Sequence, residues 1–540
     1  MTNPQAEVAR HWQRANECMR NADYANALAA FAAVVEIDRS HPMAWFALSS
    51  AANANGEFRT AVEHARSAAL GMRESGRFEG LNELAHHLQA LGETRFATHI
   101  IERAGWSRVS THPDEAALLA QCLGLADRHG DALQLLDLAL ARHAPTPMLS
   151  YTRATTLRHL GRGAEATAEF ERCLALAPDY AAAMLMLAGH DPHADAAGQL
   201  ARIRAALTRA QTDSLQYAML QYALFIQLDA AGDVENAWNA LAEGMRAKRA
   251  RLDWDGAREE AGFAAVKALC DAQFVNASAP AEASACTPVF VFGLPRSGTT
   301  VFERLLGNHT GVASAGELND FHLQLCWEAD FGTPELLDPR LLEACRTIDF
   351  GALGRGYLQR TDWRAAGSTH LIDKFPRNFL HAGLIHKALP QAKMICLVRD
   401  PLDSCLSNLK ELFAGDFYPY SYDPLETAAH IVRFRDLLAH WHEVMPGAIH
   451  EVRYEDLVGE PERVMRDALG FCGLPFEPAC AELARNAAPS ATASTSQVRQ
   501  PLHARSIGAW RRYAGPLAGA AALLREHLPA SDFAEPSAAG

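Results

Sequence analysis

The two halves of the chain carry different hydrophobic patterns. From Ala6 to about Phe274 the sequence is rich in alanine and leucine, with few β-branched runs and little proline. This composition favours helix throughout the first half. From Val289 onwards short apolar runs alternate with helical segments, and the clearest run, Lys393–Asp400, has no polar alternation. Such runs are typical of strands buried on both faces of a parallel sheet, so a doubly wound α/β domain is predicted.

In the second half, polar residues follow the ends of the predicted strands. Strands are predicted at Val289–Phe292, Val312–Glu317, His370–Lys374, Lys393–Asp400 and Ala448–Tyr454. Helices are predicted at Thr299–Leu306, Phe375–Leu389, Pro401–Phe413, Thr427–Val444 and Pro461–Gly470. Doubly wound sheets bind ligands at the carboxyl ends of their strands. The residues that stand at such ends are therefore candidates for a site: Glu317, Lys374, Arg399 and Tyr454.

The helical half contains an internal repeat. Trp12 and Phe46 are 34 residues apart, as are Tyr24 and Phe58. A glycine precedes an alanine by five residues at Gly56/Ala61, Gly92/Ala97, Gly161/Ala166 and Gly232/Ala237. The pattern resembles the tetratricopeptide repeat (TPR), with about five to seven copies. In such repeats glycine ends the first helix in a left-handed cap and alanine lets the second helix approach closely.

The repeats imply an interaction role. A solenoid of this kind leaves a concave face that binds extended peptide or another protein, so a protein or peptide partner is expected there. The alternative is a plain α-helical bundle without repeats. A small, polar, proline-containing segment, Asn276–Ala285, follows the array and is expected to be a poorly structured linker.

Composition excludes several classes of function. The net charge of −14 argues against a nucleic-acid-binding protein, which would present a basic surface. The N-terminus has no secretory signal pattern, and no window approaches the ~18–20 apolar residues of a membrane span. Eleven cysteines are dispersed without C-x-x-C pairs, which is typical of reduced thiols in the cytoplasm. No metal-ligand spacing appears, so no metal is expected.

One stretch combines a buried strand, a turn between two glycines and a helix start. Gly293-Leu294-Pro295-Arg296-Ser297-Gly298 follows the apolar run, and a helix is expected from Thr299. Successive backbone N–H groups in such a loop converge on one point, where the helix N-terminus adds partial positive charge. The loop therefore predicts an anion site, whose candidate residues are Arg296, Ser297, Gly298, Thr299 and Thr300. The alternative is an ordinary tight turn.

The residue before the helix separates two kinds of anion. The loop of nucleoside triphosphatases is G-x-x-x-x-G-K-[ST], and its lysine reaches the β- and γ-phosphates. Here Gly293 and Gly298 keep the spacing, but Thr299 stands at the lysine position and Arg296 lies inside the loop. The loop resembles that of sulfotransferases, which use 3′-phosphoadenosine 5′-phosphosulfate (PAPS). An ATP-dependent enzyme of kinase type, with Asp400 as a metal-binding carboxylate, is the alternative.

The resemblance to PAPS-dependent sulfotransferases extends over residues 288–528. It is closest to the branch that includes tyrosylprotein sulfotransferases, and the fusion to repeats resembles TPR-containing sulfotransferases. The motifs that carry it are GLPRSGTT, Gly316-Glu317, DKFPRNF around Lys374, LVRDPLDSCLS, VRYEDLV around Tyr454, and TSQVRQP at Thr495–Pro501. The resemblance implies a helical-repeat domain at 1–275, a linker at 276–287 and a P-loop-like sulfotransferase domain at 288–528. The tail, 529–540, is expected to be disordered.

The family resemblance assigns residues to the nucleotide. Arg399 and Ser407 match the pair that binds the 3′-phosphate, across a turn that Asp400-Pro401 is expected to pre-form as N-cap and first helical residue. An Arg–carboxylate pair that stabilises the turn is the alternative for Arg399. Tyr454 and Ser494 are further expected contacts of the nucleotide.

The closing segment departs from the family pattern. In the tyrosylprotein branch a lysine precedes the tryptophan of this segment, whereas Ala509 precedes Trp510 here. Arg511 is expected to supply the missing charge at the nucleotide, with Arg505 as an alternative.

The resemblance also assigns catalytic roles. Lys374 corresponds to the cation that follows the leaving oxygen, and Arg296 is expected between the sulfonate and the acceptor. Glu317 falls 21 residues after Arg296, where the tyrosylprotein branch has its general base. A capping or ion-pairing carboxylate is the alternative for Glu317, and His322 is the alternative base.

The expected reaction moves a sulfuryl group from PAPS to an acceptor hydroxyl, leaving adenosine 3′,5′-bisphosphate, with no metal. Protein tyrosine, a glycan and a small hydroxylated metabolite are all compatible acceptors. A non-enzymatic TPR adaptor is the remaining alternative.

Overall fold

In the computed structural model, the described residues are 3–109, 111–193, 195–277, 286–486 and 502–533. The chain divides into two compact units. The first comprises Met1–Arg162 and Asn319–Glu335, and the second comprises Gly163–Leu318 and Leu336–Gly540. The linker predicted at 276–287 marks the change between two sequence patterns. The two compact units divide at other positions, between Arg162 and Gly163 and at both ends of Asn319–Glu335. The later helices of the array belong with the α/β elements, and residues 319–335 belong with the first helices.

The segment predicted to be helical forms helices α1 to α17. They are α1 (Pro4–Arg20), α2 (Tyr24–Ile37), α3 (Pro42–Ala54), α4 (Phe58–Ser75), α5 (Leu81–Ala90), α6 (Thr94–Ala104), α7 (Trp106–Val109), α8 (Pro113–Leu125), α9 (His129–Arg142), α10 (Pro147–His159), α11 (Gly163–Leu176), α12 (Ala181–His190), α13 (Ala196–Leu207), α14 (Leu215–Ala230), α15 (Val234–Arg249), α16 (Gly256–Leu269) and α17 (Ala272–Asn276). Successive helices pack in pairs, such as α1 with α2, α3 with α4, and α14 with α15.

The repeat positions have the predicted structural roles. The four repeat glycines lie between consecutive helices with φ of 75° to 81°, the left-handed conformation of a helix cap. The alanines five residues later are fully buried, since Ala61, Ala97, Ala166 and Ala237 have 0% exposure. A methyl side chain lets α4, α6 and α15 approach α3, α5 and α14, the helices that precede them. The helical repeats thus resemble those of TPR proteins.

The first unit also holds a helix from the second half of the chain, α19 (Asp320–Ala329). The last carbonyls of a helix have no intrahelical partner. Arg59, in the first turn of α4, supplies partners by donating from Nε to the Trp327 carbonyl and from Nη2 to the Glu328 carbonyl, both at 2.7 Å. Its amide donates to Asp330 Oδ1 at 2.9 Å.

The second unit contains a parallel sheet. Among the described residues its strands are β1 (Thr287–Gly293), β2 (Val312–Ser314), β3 (His370–Lys374), β4 (Lys393–Val398) and β5 (Ile449–Arg453), in the order β2-β3-β1-β4-β5. All neighbouring strands are parallel. The chain leaves β1 to one side for β2 and β3 and then crosses to β4 and β5. The carboxyl end of β1 therefore lies at the switch point where such sheets bind ligands.

Helices cover both faces of the sheet. The remaining helices are α18 (Thr299–Leu306), α20 (Pro339–Ala344), α21 (Phe350–Thr361), α22 (Ala382–Ala388), α23 (Pro401–Leu409), α24 (Pro424–Val444), α25 (Tyr454–Gly459), α26 (Pro461–Cys472) and α27 (Ala518–His527). Side chains of α18 and α26 share a core cluster with alternate residues of β1, β3 and β4. On the other face, the rings of Tyr357 from α21 and Phe290 lie 5.3 Å apart. The predicted α/β architecture is confirmed.

Several predicted boundaries are wrong, and proline explains one of them. The helix predicted from Phe375 begins as a 3₁₀ helix, Pro376–His381, and becomes α-helical only at Ala382. Pro376 disfavours the helical conformation in the residue before it, and Phe375 is extended with φ −120° and ψ 114°. The strand expected through Tyr454 ends at Arg453, because Tyr454 opens α25.

The expected disordered tail begins with ordered structure. Residues Ala530–Asp532 form a 3₁₀ turn, and Asp532 Oδ1 lies 2.7 Å from Arg435 Nη2. Residues 534–540 lie outside the described part of the chain.

The predicted cap of α23 is confirmed, and it gives a test of stability. Asp400 Oδ1 accepts from the amides of Leu402 and Asp403, each at 2.9 Å, and Pro401 is the first helical residue. Asp400→Ala should lower the free energy of unfolding by about 0.5–2 kcal/mol in chemical denaturation. Asp423→Ala, which removes the equivalent cap of α24, is the matched control and should lose a similar amount. Unchanged stability in Asp400→Ala would contradict the role of this cap.

Candidate active site

The loop between β1 and α18 is tightly packed at both of its glycines. Gly293 has φ 148°, and a Cβ there would lie 2.3 Å from the Leu397 carbonyl oxygen. Gly298 has φ 102°, and a Cβ there would lie 2.5 Å from the Tyr454 ring. Neither position accommodates a side chain, so the backbone of the loop stays close to β4 and to Tyr454.

The loop brings buried polar groups to the start of α18. Ser297, Thr299 and Thr300 are all buried. The Ser297 amide donates to the Leu294 carbonyl at 3.2 Å, but its buried Oγ bonds to no described residue. The first amides of a helix also lack intrahelical partners and carry partial positive charge. These groups are suited to binding an anion's oxygens.

A lysine between two carboxylates lies beside this loop. Lys374 ends β3 and is fully buried, with 0% exposure. Its Nζ donates to Glu317 Oε1 and lies 3.8 Å from Glu303 Oε2. Glu303, on α18, accepts from Ser314 Oγ at 2.6 Å. The predicted residues Lys374 and Glu317 are therefore in direct contact, and Glu303 joins them.

The charges of this cluster depend on one another. Burial would lower the pKa of Lys374, but Glu317 and Glu303 outweigh burial and raise it above its usual value. Burial raises the pKa of Glu303, and Lys374 only partly offsets that effect. The side chain of Glu317 is 41% exposed, so it is the carboxylate of the cluster that solvent reaches. The arrangement keeps a cation in place without access to bulk water.

Arg399 links the loop to the segment Ser506–Tyr513, which we call the closing segment. Its Nη1 donates to the Arg296 carbonyl at 3.0 Å and its Nη2 to the Ser506 carbonyl at 2.6 Å. Its guanidinium lies 4.9 Å from the centre of the Tyr454 ring, and the Tyr454 hydroxyl is 3.1 Å from Ser506 Oγ. The buried Nε bonds to no described residue. The predicted Arg399, Arg296 and Tyr454 are thus brought together.

Helix α23 runs from this arginine along the same edge. Ser407 is half-buried on α23, and the preceding Ser404 is buried with an Oγ that bonds to no described residue. Asn408 Nδ2 donates to the Pro295 carbonyl at 3.0 Å, which ties α23 to the loop. Hydroxyl groups of α23 therefore lie on a helix that is fixed to both Arg399 and the anion loop.

The closing segment lies against the start of α23. Asp403 Oδ2 accepts from the amide of Gly508 at 2.6 Å, and its Oδ1 accepts from the amide of Trp510 at 3.1 Å. Burial raises the pKa of Asp403. Arg511 is exposed, and its guanidinium lies 5.4 Å from the centre of the Trp510 ring. Arg505, the alternative, is exposed as well.

An aromatic cluster includes Tyr418, which the charge of Glu317 reaches. The rings of Phe413 and Tyr418 lie 4.6 Å apart, and those of Tyr418 and Tyr420 lie 6.4 Å apart. Burial raises the pKa of Tyr418, and the charge of Glu317 raises it further. Phe417, in the same segment, is 58% exposed. This segment therefore combines packed aromatic rings with one exposed ring, that of Phe417.

The part of the chain that holds these residues is similar to a known protein family. Residues 288–478 match the sequence model of the sulfotransferase family. This part of the chain is similar to that family. The match contains the loop between β1 and α18, Glu317, Lys374, Arg399 and Tyr454. Among the described residues, no cluster of three or more metal-binding side chains occurs, and no helix is long and apolar enough to cross a bilayer.

Curated relatives are longer than the region they share with this chain. An uncharacterized protein of Aquifex aeolicus is 35% identical over 254 residues, which are 44% of this chain and 32% of that protein. Protein FlbA of Caulobacter vibrioides is 28% identical over 43% of this chain and 38% of its own length. Nodulation protein NoeE of Sinorhizobium fredii is 32% identical over 21% of this chain and 28% of its own length. The chain thus spans well under half the length of each relative.

Solved structures with detectable similarity fall into two groups. The sulfotransferase domain of the Synechococcus PCC 7002 olefin synthase is 18% identical, covering 48% of this chain and 99% of that one, with a TM-score of 0.34. Yeast Tom70 is 11% identical and covers 87% of this chain and 95% of that one, with a TM-score of 0.21.

The α/β part of the chain contains site residues that the sequence did not single out. Glu303 and Asp403 lie on helix faces and are ordinary polar residues in the sequence. The only signal in the sequence was their spacing, since Glu303 is three residues after Thr300 and Asp403 is four residues after Arg399. Ser494 and the Thr495–Pro501 motif lie outside the described residues.

His322, the alternative base, is buried on α19. Its Nε2 is 2.7 Å from the Thr333 carbonyl oxygen. A buried imidazole held by a backbone carbonyl is typical of a structural histidine.

Proposed function

We propose that the protein is a PAPS-dependent sulfotransferase that transfers a sulfuryl group to an acceptor hydroxyl. The observation that carries the proposal is the contact of Lys374 with Glu317 beside the loop at Ser297–Thr300, inside the region similar to the sulfotransferase family. This reaction uses two charged groups. Lys374 supplies a cation for the leaving oxygen, and the solvent-accessible Glu317 supplies a carboxylate for the acceptor proton.

The site has suitable groups for both ends of the donor. The helix N-terminus at Thr299 and the buried Ser297 hydroxyl suit the 5′-phosphosulfate. Arg399 retains a buried Nε with no described partner, and Ser404 retains such a hydroxyl. Together with Ser407 they suit the 3′-phosphate, because arginine forks and hydroxyls are good phosphate ligands.

The proposed step is an in-line displacement at sulfur. The acceptor oxygen forms a bond to sulfur as the bond from sulfur to the bridging oxygen breaks, and the electron pair of that bond leaves on the 5′-phosphate. Glu317 takes the proton of the acceptor hydroxyl. Lys374 meets the charge that develops on the bridging oxygen, and Arg296 neutralises the sulfonate. The protein itself forms no covalent bond and acts by positioning and charge stabilisation.

A protein tyrosine is the acceptor we propose. The aromatic rings of Phe413 and Tyr418 support a phenolic acceptor, because aromatic rings stack on one another and the charge of Glu317 reaches Tyr418. The helical repeats support a protein or peptide partner, since concave solenoid faces bind extended chains. Incubation with sulfur-35-labelled PAPS and a cell lysate tests this, because label recovered in glycan or small molecules instead of tyrosine would refute it.

Calorimetry tests the donor directly. The full chain should bind adenosine 3′,5′-bisphosphate without added metal and should bind ATP far more weakly, because no lysine follows Gly298. Magnesium-dependent ATP binding together with no affinity for the bisphosphate would favour the kinase-type alternative.

Replacing Arg399 should remove discrimination between nucleotides. Arg399→Met deletes the guanidinium and should weaken binding of adenosine 3′,5′-bisphosphate by roughly 10–100-fold, the cost of a lost charge-assisted bond. Binding of adenosine 5′-monophosphate, which lacks the 3′-phosphate, is the control and should change little. An equal loss for both nucleotides would instead assign Arg399 to bracing the loop through the Arg296 carbonyl.

A further inference from the structure

The closing segment, Ser506–Tyr513, is held from two sides. On one side Asp403 of α23 accepts two backbone bonds from it, as described above. On the other side lies α14, a helix of the repeat array that belongs to the same compact unit. The hydrogen bonds with α14 are made by Asp229, near the end of that helix, and the ring of Phe225 lies 6.4 Å from that of Tyr513.

Three side chains bond to the carboxylate of Asp229. Its Oδ1 accepts from the Tyr513 hydroxyl at 2.7 Å and lies 2.9 Å from Arg512 Nη1. Its Oδ2 accepts from Lys410 Nζ at 2.9 Å. Its carbonyl accepts a further bond from Arg512 Nη2 at 3.2 Å. Two residues of the closing segment and one residue after α23 thus bond to a single carboxylate.

The surroundings of Asp229 make these bonds effective. Its side chain is 16% exposed, and Tyr513 is buried at 1%. Burial would raise the pKa of Asp229, but Lys410, Tyr513 and Arg512 together hold it below its ordinary value. The carboxylate is therefore charged at neutral pH and shielded from much of the solvent, where ionic hydrogen bonds are stronger than at an open surface.

The same helix also contacts the end of α23. The buried Tyr222 hydroxyl donates to the Leu409 carbonyl at 3.0 Å, which satisfies a carbonyl that has no helical partner. The ammonium of Lys410 lies 5.2 Å from the centre of the Phe225 ring. Helix α14 thus contacts both elements that carry proposed donor residues, α23 with Ser407 and the closing segment with Arg511.

We infer that Asp229 is a positioning residue of the donor site, which fixes the closing segment so that Trp510 and Arg511 meet the bound nucleotide. The inference rests on the proposed function. It extends the donor site onto the repeat array, so that this helix supports nucleotide binding in addition to any partner-binding role of the array. Asp229 touches no substrate and acts through Arg512 and Tyr513.

Donor affinity tests this inference. Asp229→Asn keeps the size of the side chain and an oxygen for Tyr513 but loses the charge that holds Lys410 and Arg512. In calorimetry on the full chain it should bind adenosine 3′,5′-bisphosphate roughly tenfold more weakly than the parent. In steady-state assays the KM for PAPS should rise by a similar factor, while kcat stays within about twofold. A merely structural role would not produce this division.

Three further variants keep the test decisive. Arg512→Ala removes a side chain that is 47% exposed, so it tests the same contact should Asp229→Asn fail to fold. Asp179→Asn, which breaks an exposed pair with Arg209 on the same array, is the matched control and should leave binding unchanged. Because Asp229 is inferred to act through the segment bearing Arg511, the effects of Asp229→Asn and Arg511→Ala should be less than additive.

The outcomes separate the two proposals. If the parent binds no adenosine 3′,5′-bisphosphate, the proposed function is refuted. If the parent binds it and both Asp229→Asn and Arg512→Ala bind it equally well, the inference about Asp229 is overturned while the proposed function stands. Full additivity with Arg511→Ala would also overturn it.

Discussion

Lys374→Met should reduce sulfuryl transfer by about 10²–10³-fold, the usual effect of deleting one group that stabilises transition-state charge. Methionine fills most of the volume of the lysine but cannot meet the negative charge that grows on the bridging oxygen. Binding of adenosine 3′,5′-bisphosphate should persist, because the loop, Arg399 and α23 remain. Single-turnover assays with labelled PAPS measure the rate, and calorimetry measures the binding.

Because Lys374→Met removes a buried charge, its effect on stability must be separated from its effect on the reaction. Without the ammonium, Glu303 is left buried without its cation, which destabilises a fold unless the carboxylate takes up a proton. The double variant Lys374→Met/Glu303→Gln removes that carboxylate charge. It should recover thermal stability and stay inactive. A single variant that turns over as fast as the parent would show that the site is wrongly assigned.

The sequence predicts the sheet and the loop because their determinants are local. Residues of β1 and β4 are apolar without alternation and are buried on both faces, as such runs require. The cap at Asp400 was predictable for the same reason, since its acceptors and donors lie within three residues. Parallel strands also bring their carboxyl ends to one edge of the sheet. Because Lys374 and Glu317 both follow predicted strands, they were expected to lie near each other.

Other features depend on contacts between distant segments and leave little trace in the sequence. The packing of α19 with the first helices follows from bonds between Arg59 and residues about 270 positions later. Asp229 joins the closing segment across a similar distance, 284 positions for Tyr513. Neither residue belongs to a motif, so local pattern carries no information about its partner.

The pairing of Lys374 with Glu317 constrains how the site would work. In the absence of substrates the proposed base and the proposed cation neutralise each other. Glu303 gives Lys374 a second carboxylate, so the ammonium keeps a partner if Glu317 turns toward an acceptor. Donor binding would offer Lys374 a further anion. Glu303 therefore allows the Lys374–Glu317 pair to separate, so that Glu317 can act as the proposed base while Lys374 acts as the proposed cation.

Glu317→Gln should lower kcat by about 10²–10⁴-fold, the usual contribution of a general base. Glutamine keeps the shape of the side chain but cannot accept the proton of the acceptor hydroxyl. Affinity for adenosine 3′,5′-bisphosphate should be kept, because Glu317 is assigned to the acceptor and not to the nucleotide. Rapid-quench measurement of the transfer step separates this loss from any effect on product release.

His322→Ala is the matched comparison, since His322 is the alternative base. Its imidazole is buried at 3% and bonded to the Thr333 carbonyl, so the variant should lose stability while retaining most of its rate per folded molecule. If His322→Ala shows the loss of kcat and Glu317→Gln does not, the base is misassigned. If both variants keep the parental rate, proton removal by either residue is excluded, and the acceptor must lose its proton to water or to a group outside this pair.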